Sequence, residues 1–281
     1  MNNFIQRTLS AIVYAGLVIG SIVWQPACFG THPLLFGILM MLVSALAVRE
    51  FHSLVASDIK TTTYAMMSSV LLFATLYFLF YGDLIWRGLL VAYVAIMLMA
   101  LITHLFRPQV QPIQSWGNLC AGQLMVALPF ALMNGVMMSN RWLMLALFIL
   151  LWVNDSGAYI VGSLMAKRKG GNHKMFPRVS PAKSWEGLIG GFIFDLIAGY
   201  VFFRIGWTAD MGLVNSLVFA LVMGIFGTLG DLMESLFKRT LGVKDSGKFM
   251  PGHGGVLDRF DSLLLAVPVV YFFFVYLPTI L

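Results

Sequence analysis

Charge is scarce in this chain. Only 11% of its 281 residues are charged, against 59% hydrophobic, and the mean hydropathy is +0.87. Soluble domains carry about 25% charged residues, so a water-facing globule is excluded and lipid must accept most of the apolar surface. Cysteine is scarcer still. Cys28 and Cys120 each lie in or beside an apolar segment, and no disulfide framework or cysteine metal spacing follows from them. A GxxxxGK[ST] phosphate loop is missing, and no GxGxxG follows a strand. Internal repeats, low-complexity tracts and Ser/Pro linkers are missing as well.

What the chain does have is long apolar runs. A helix needs about 20 apolar residues to cross the hydrocarbon core. Nine segments qualify: 8–25, 33–54, 64–81, 85–106, 119–138, 141–164, 186–204, 213–234 and 260–279. The expected fold class is an all-α integral membrane protein, a polytopic bundle of about nine transmembrane helices. It reads as one transmembrane domain over 1–281, with N-terminal helices in 1–140 and C-terminal helices and loops in 141–281. The first span has Arg7, an apolar run and then QPACFG, with no clear small-x-small cleavage site, so it reads as an uncleaved helix.

The net charge of +6 is explained by where the basic residues fall. With the N-terminus cytoplasmic, fifteen of the eighteen Lys and Arg residues lie on the cytoplasmic side. Only Arg87, Arg141 and Arg204 lie opposite. This is the positive-inside asymmetry, and nucleic-acid binding is not needed to account for it. Two connections on the cytoplasmic side stand out, MAKRKGGNHKMFPRVSPAKSW at 165–185 and SLFKRTLGVKDSGKFMPGHGGVLDRFD at 235–261. Anchoring on anionic lipid headgroups, worth about 1 kcal/mol per basic residue, accounts for 167–174. It does not account for a loop that interleaves Asp with Gly.

Acids near or within the spans are more telling, because buried charge in a bilayer is expensive and usually faces a bundle interior or a wet cavity. Asp155, Asp195, Asp231, Glu234 and Asp261 are such residues. Asp231, Glu234, Ser235 and Lys238 recur at spacings of three and four, on one helix face. Asp258 and Asp261 share another. Clustered carboxylates without cysteine suit a hard cation such as Mg²⁺. Neighbouring Lys and Arg suit phosphate oxygens. Gly252, Gly254 and Gly255 permit a backbone anion nest. Together these predict a metal–polyphosphate site at a membrane surface, at the cytoplasmic ends of the C-terminal helices.

In these residues the chain resembles the phosphatidate cytidylyltransferases, also called CDP-diacylglycerol synthases. The resemblance rests on Ser235, Lys238, Arg239, Lys244, Asp245, Gly247, Pro251, His253, Gly254, Gly255, Asp258, Arg259 and Asp261 in the family spacing. It rests also on GDLMES at 230–235, SPAKSWEG at 180–187 and NDSGAY at 154–159. The N-terminal half resembles the family only in hydropathy. Met250 stands where Ile, Leu or Phe is usual, and the 167–178 loop is slightly long.

The resemblance implies that CTP and phosphatidate give CDP-diacylglycerol and pyrophosphate for phospholipid biosynthesis, with the lipid phosphate attacking the CTP α-phosphorus. It assigns Asp231, Asp258 and Asp261 to Mg²⁺, with a second, monovalent cation left open. Asp231, Ser235, Lys238, Asp258 and Asp261 form the implied catalytic set. Substrate binding falls to Arg239, Lys244, Asp245, His253, Gly254 and Gly255, with Ser180, Lys183 and Arg259 on the lipid phosphate or pyrophosphate. The expected location is the cell inner (cytoplasmic) membrane, multi-pass. CTP, phosphatidate in the bilayer and anionic lipid are the expected partners, with a homodimer left open and nucleic acid excluded.

Two rivals come from other classes. A secondary transporter shares intramembrane acids and glycine-interrupted helices, but its site sits at the midplane between repeats, whereas these charges crowd one face. A structural anchor has no use for Asp258 paired with Asp261.

Overall fold

The computed structural model describes residues 3–24, 32–107, 111–168, 171–247, 249 and 254–280. It is helical almost throughout. Among the described residues, seven helices are long and apolar enough to span a membrane, and two shorter apolar helices, Leu9–Val23 and Leu263–Tyr276, stand where the first and ninth spans are expected. The chain divides into two compact units, Met1–Met138 with Val243–Phe260, and Ser139–Gly242 with Asp261–Leu281. The signature stretch is thus shared, its loop in the first unit and its flanking helices in the second.

The first unit holds α1 (Asn3–Val23), α2 (Leu34–Leu54), α3 (Ile59–Phe80), α4 (Ile85–Thr103) and α5 (Pro112–Ala121). A π-helical turn, Gly122–Ala127, carries α5 into α6 (Leu128–Ser139). Every residue from Pro129 to Met137 is buried, as expected of a helix apolar on all sides. On α4 only Ala100 is buried, so its Leu90, Val91 and Leu98 form lipid-facing surface. The α2–α3 corner turns through Ala56, at φ +49°. Asp58 then caps α3, accepting from Lys60 N (3.0 Å), Thr61 N (3.1 Å) and Thr61 Oγ1 (2.6 Å). Arg107 Nη1 also reaches Asp58, at 2.6 Å. Partial burial opposes ionisation of Asp58, but the Thr61 and Arg107 contacts outweigh it and hold its carboxyl down at about 2.

The loop 243–260 ends in α10 (Leu257–Phe260). Phe260 is fully buried, with its ring 5.4 Å from Tyr14 and 5.3 Å from Phe130. Burying one aromatic side chain is worth about 1.5–3 kcal/mol, and this one fastens the end of the loop to α1 and α6.

The second unit holds α7 (Arg141–Ala166), a hairpin of β1 (Lys174–Phe176) and β2 (Ser180–Ser184), α8 (Trp185–Arg204), α9 (Gly212–Thr240) and α11 (Leu263–Val270). A π-helical turn, Tyr271–Tyr276, leads on to α12 (Leu277–Ile280). Asn140 separates α6 from α7 and caps the latter through Trp142 N (2.8 Å) and Leu143 N (3.3 Å), so the fifth and sixth spans are distinct helices. The hairpin is not among the sequence expectations, which give 165–185 only as a basic cytoplasmic connection. His173 and Glu186 close it: Glu186 accepts from His173 N (3.1 and 3.0 Å), and its Oε1 lies 2.6 Å from His173 Nδ1.

Helices α7, α8 and α9 pack through small residues, which let backbones approach where lipid offers no hydrophobic drive. A Cβ on Gly190 would stand 2.4 Å from Val161, and one on Gly224 would stand 2.2 Å from an Asp195 oxygen. Asp195, fully buried, accepts from Asn154 Nδ2 at 2.6 Å. It therefore bonds an amide on a neighbouring helix.

Candidate active site

In the second unit the signature residues of α9 form a charged stripe. Lys183, on β2, brings its Nζ to 2.7 Å from Asp231 Oδ2 and 3.4 Å from the Thr228 carbonyl oxygen. Ser235 Oγ donates to Asp231 Oδ1 at 3.2 Å. One turn on, the buried Lys238 forms an ion pair with the buried Glu234. The expected helix face is present, but its cations already have partners. Lys238 meets Glu234, and the amine on Asp231 comes from the hairpin.

Asp261 lies in the two-residue turn before α11, where it accepts from Ser262 N at 2.6 Å. A Cβ on Gly230 would stand 2.7 Å from the Asp261 carbonyl oxygen, so only glycine admits this turn against α9. The carboxylates of Asp231 and Asp155 lie near enough to Asp261 for their charges to act on it. Like charges gathered this way favour an added cation.

Beside the stripe lies a cavity of about 180 Å³. Its lining mixes Asn154, Asp155 and Lys183 with Ala158, Tyr159 and Leu188. NDSGAY and SPAKSWEG, separate in sequence, thus share one cavity because α7 and α8 pack face to face. Ser180 lies at the start of β2, opposite Phe176, half-buried. Arg239 is exposed at the end of α9.

In the first unit the loop is organised by carboxylates. Asp258 accepts from Ser246 N (3.1 and 2.9 Å) and from Gly255 N (2.7 Å). Gly254 has φ +84°, and a Cβ there would stand 2.5 Å from Asp258 Oδ2. The glycines are needed for close approach, as expected, but the group approaching is the protein's own carboxylate. The N–H of Gly255 is given to Asp258 rather than left for a phosphate, which corrects the nest expectation at that position. Lys244, Asp245 and Arg259 are exposed. His253, Gly252 and Pro251 lie outside the described residues, as do Cys28, Lys248 and Met250.

One residue is missed by sequence reasoning. Glu50, on α2, accepts from Val256 N (2.9 Å), Leu257 N (2.8 Å) and Ser246 Oγ (3.1 Å). Its only signal is an Arg49-Glu50 pair at the end of an apolar span. Among the described residues no three His, Cys, Asp or Glu side chains form a ready metal cage.

Comparison with known proteins decides the family. The sequence model of the cytidylyltransferase family matches residues 5–277. The chain belongs to the cytidylyltransferase family.

Among its relatives, the phosphatidate cytidylyltransferase of Haemophilus influenzae is 45% identical over 136 residues, covering 47% of this chain and 46% of that protein. That of Staphylococcus haemolyticus is 48% identical over 124 residues, covering 44% and 45%. That of Staphylococcus aureus is 42% identical over 124 residues, covering 44% and 45%. The chain thus spans about half the length of the curated relatives it matches. Membership fits a polytopic helical protein whose only described strands form one short hairpin.

Proposed function

We propose that this cytidylyltransferase-family chain transfers the cytidylyl group of CTP to phosphatidate, giving CDP-diacylglycerol and pyrophosphate. One phosphate oxygen of phosphatidate bonds to the α-phosphorus of CTP, and the bond from that phosphorus to the β-bridging oxygen breaks. Pyrophosphate carries the electron pair away. The nucleophile is already anionic, so no serine or cysteine attack is required. The protein's work is positioning and charge neutralisation.

The observation that carries this reading is the cavity of the second unit. Lys183 and Asp155 line it together with Ala158, Tyr159 and Leu188, a lining suited to an amphiphile with an anionic head. Lys183 is the cation for the lipid phosphate, and Ser180 and Arg259 keep the lipid-phosphate or pyrophosphate role that the resemblance implies. Lys238, Arg239, Lys244, Asp245, His253 and Gly254 are assigned to CTP, with Ser235 orienting Asp231.

The donor set fits Mg²⁺, which keeps several waters and takes one or two carboxylates plus substrate phosphates rather than a full protein cage. Asp231 and Asp261 would hold it, and Asp258 keeps the metal role of the resemblance. Bound there, the ion supplies positive charge to the triphosphate. In the orientation we propose, the N-terminus and both charged connections are cytoplasmic, in the cell inner membrane. The exposed Lys167, Arg168 and Lys174 then rest on anionic lipid.

Radiolabelled CTP supplied with phosphatidate in mixed micelles tests the reaction. Label should enter the lipid phase, and EDTA should abolish this. Transport of CTP into vesicles without lipid labelling would favour a carrier instead.

A further inference from the structure

We propose that Glu50 is a positioning residue for the signature loop, a carboxylate supplied by the N-terminal helices that fixes Ser246 and residues 255–257 in the arrangement that serves CTP. The inference rests on the cytidylyl-transfer reading above and assigns a residue outside every motif that led to it.

The geometry is a double clamp. Glu50 Oε1 accepts from Val256 N at 2.9 Å, while Oε2 accepts from Leu257 N at 2.8 Å and from Ser246 Oγ at 3.1 Å. Asp258 accepts from Ser246 N and from Gly255 N. Both carboxylates therefore tie the start of the loop, at Ser246, to its end at 255–257. Four backbone N–H groups are given to two side chains. Buried N–H groups must find partners, and a carboxylate accepting several of them is among the stronger hydrogen-bonding arrangements available.

Two signature glycines have their reason in the same residue. A Cβ on Gly247 would stand 2.6 Å from Glu50 Oε1, and one on Gly255 would stand 2.3 Å from Glu50 Oε2. The loop backbone is wrapped on the Glu50 carboxylate closely enough that no side chain fits. Ser246 is buried, whereas its neighbours Lys244 and Asp245 are exposed. The clamp holds the inner side of the loop and leaves those charged groups outward. Closing a loop in advance removes ordering cost from the binding step.

The test compares parent and Glu50→Gln, which keeps the size but replaces one acceptor oxygen by a donor NH₂ facing backbone N–H groups. Kcat/KM for CTP should fall about tenfold or more, chiefly through KM for CTP, with KM for phosphatidate within about twofold. Amide hydrogen exchange at Ser246, Val256 and Leu257 should speed up at least tenfold. Ser246→Ala removes a single bond to Glu50 and should shift KM for CTP the same way, by about two- to fivefold. It decides the matter if Glu50→Gln does not fold.

A fall in kcat with KM for CTP unchanged would make Glu50 a stability residue and overturn the proposal. Parental exchange rates at Val256 and Leu257 in Glu50→Gln would overturn it too. If the parent itself labels no lipid, the reaction reading fails. The exchange arm then still judges the clamp.

Discussion

Lys183 Nζ lies 2.7 Å from Asp231 Oδ2, so a strand of the hairpin and the last turns of a membrane helix share one ion pair. On the proposed reading, Asp231 would hold a divalent cation beside the triphosphate and Lys183 would supply a cation to phosphate. Either role depends on the Asp231 charge.

Asp231→Asn should therefore insert and fold like the parent and lose nearly all turnover. Asn keeps the volume but not the charge that binds a hard cation. Steady-state rates at limiting Mg²⁺ are the measurement, and parental rates in this variant would refute the metal assignment. The same substitution at Asp258 should also abolish turnover. There it should speed amide exchange at Gly255 as well, because Asp258 holds that N–H at 2.7 Å.

Lys238 and Lys174 should behave differently. Lys238 is buried against Glu234, and breaking a buried pair by removing one partner costs about 3–5 kcal/mol. Lys238→Ala should lower both the melting temperature and kcat/KM for CTP, the latter by about ten- to a hundred-fold, where 1.4 kcal/mol is tenfold. Adding Glu234→Gln should restore the melting temperature but not the activity, since it removes the orphaned charge without replacing the cation. Lys174 is exposed on β1, and exposed charge contacts are worth little. Its Ala variant should stay within about threefold of the parent.

Packing gives a prediction independent of the reaction. Gly224→Ala would bring a Cβ to 2.2 Å from an Asp195 oxygen, whereas Gly88 has open space around it. Overpacking a close helix contact costs about 1–3 kcal/mol. Thermal unfolding in detergent should show a lower midpoint for Gly224→Ala and no loss for Gly88→Ala.

Asp58 supplies a pH dependence. Its folded carboxyl titrates at about 2, below its ordinary 3.8. Its stabilising contribution is therefore complete above about pH 4 and is lost as pH falls through about 2. The melting difference between parent and Asp58→Asn should be constant from pH 7 to 5 and shrink toward zero by pH 2. A difference that persists at pH 2 would mean the cap, not the charge, does the stabilising.

Orientation is tested by labelling. In a background with Cys28 and Cys120 replaced by Ser, a cysteine at Lys174 should resist an impermeant thiol reagent in intact cells, and one at Asp210 should react. The opposite pattern would place both charged connections outside the cell, away from nucleotide.

Hydropathy and charge are read one residue at a time along the chain, so sequence alone determines what depends on them. A lipid-solvated helical protein is determined this way, as are its long apolar spans and the gathering of acids and bases at 230–261. The division of 119–138 from 141–164 comes from hydropathy, and the Asn140 cap that fixes it is seen only in the fold. Tertiary structure alone decides which charges meet. Lys183 reaches Asp231 because β2 packs against α9, and Lys238 is left to Glu234. Glu50 is invisible to motif reading, since a lone acid at a span end has no periodicity to mark it. Its role appears only when loop 243–260 folds onto α2 and leaves the N–H groups of Val256 and Leu257 needing an acceptor. Pairings of this kind depend on how closely backbones approach. That is set by glycines such as Gly230, Gly247 and Gly255, through contacts tens or hundreds of residues away in sequence.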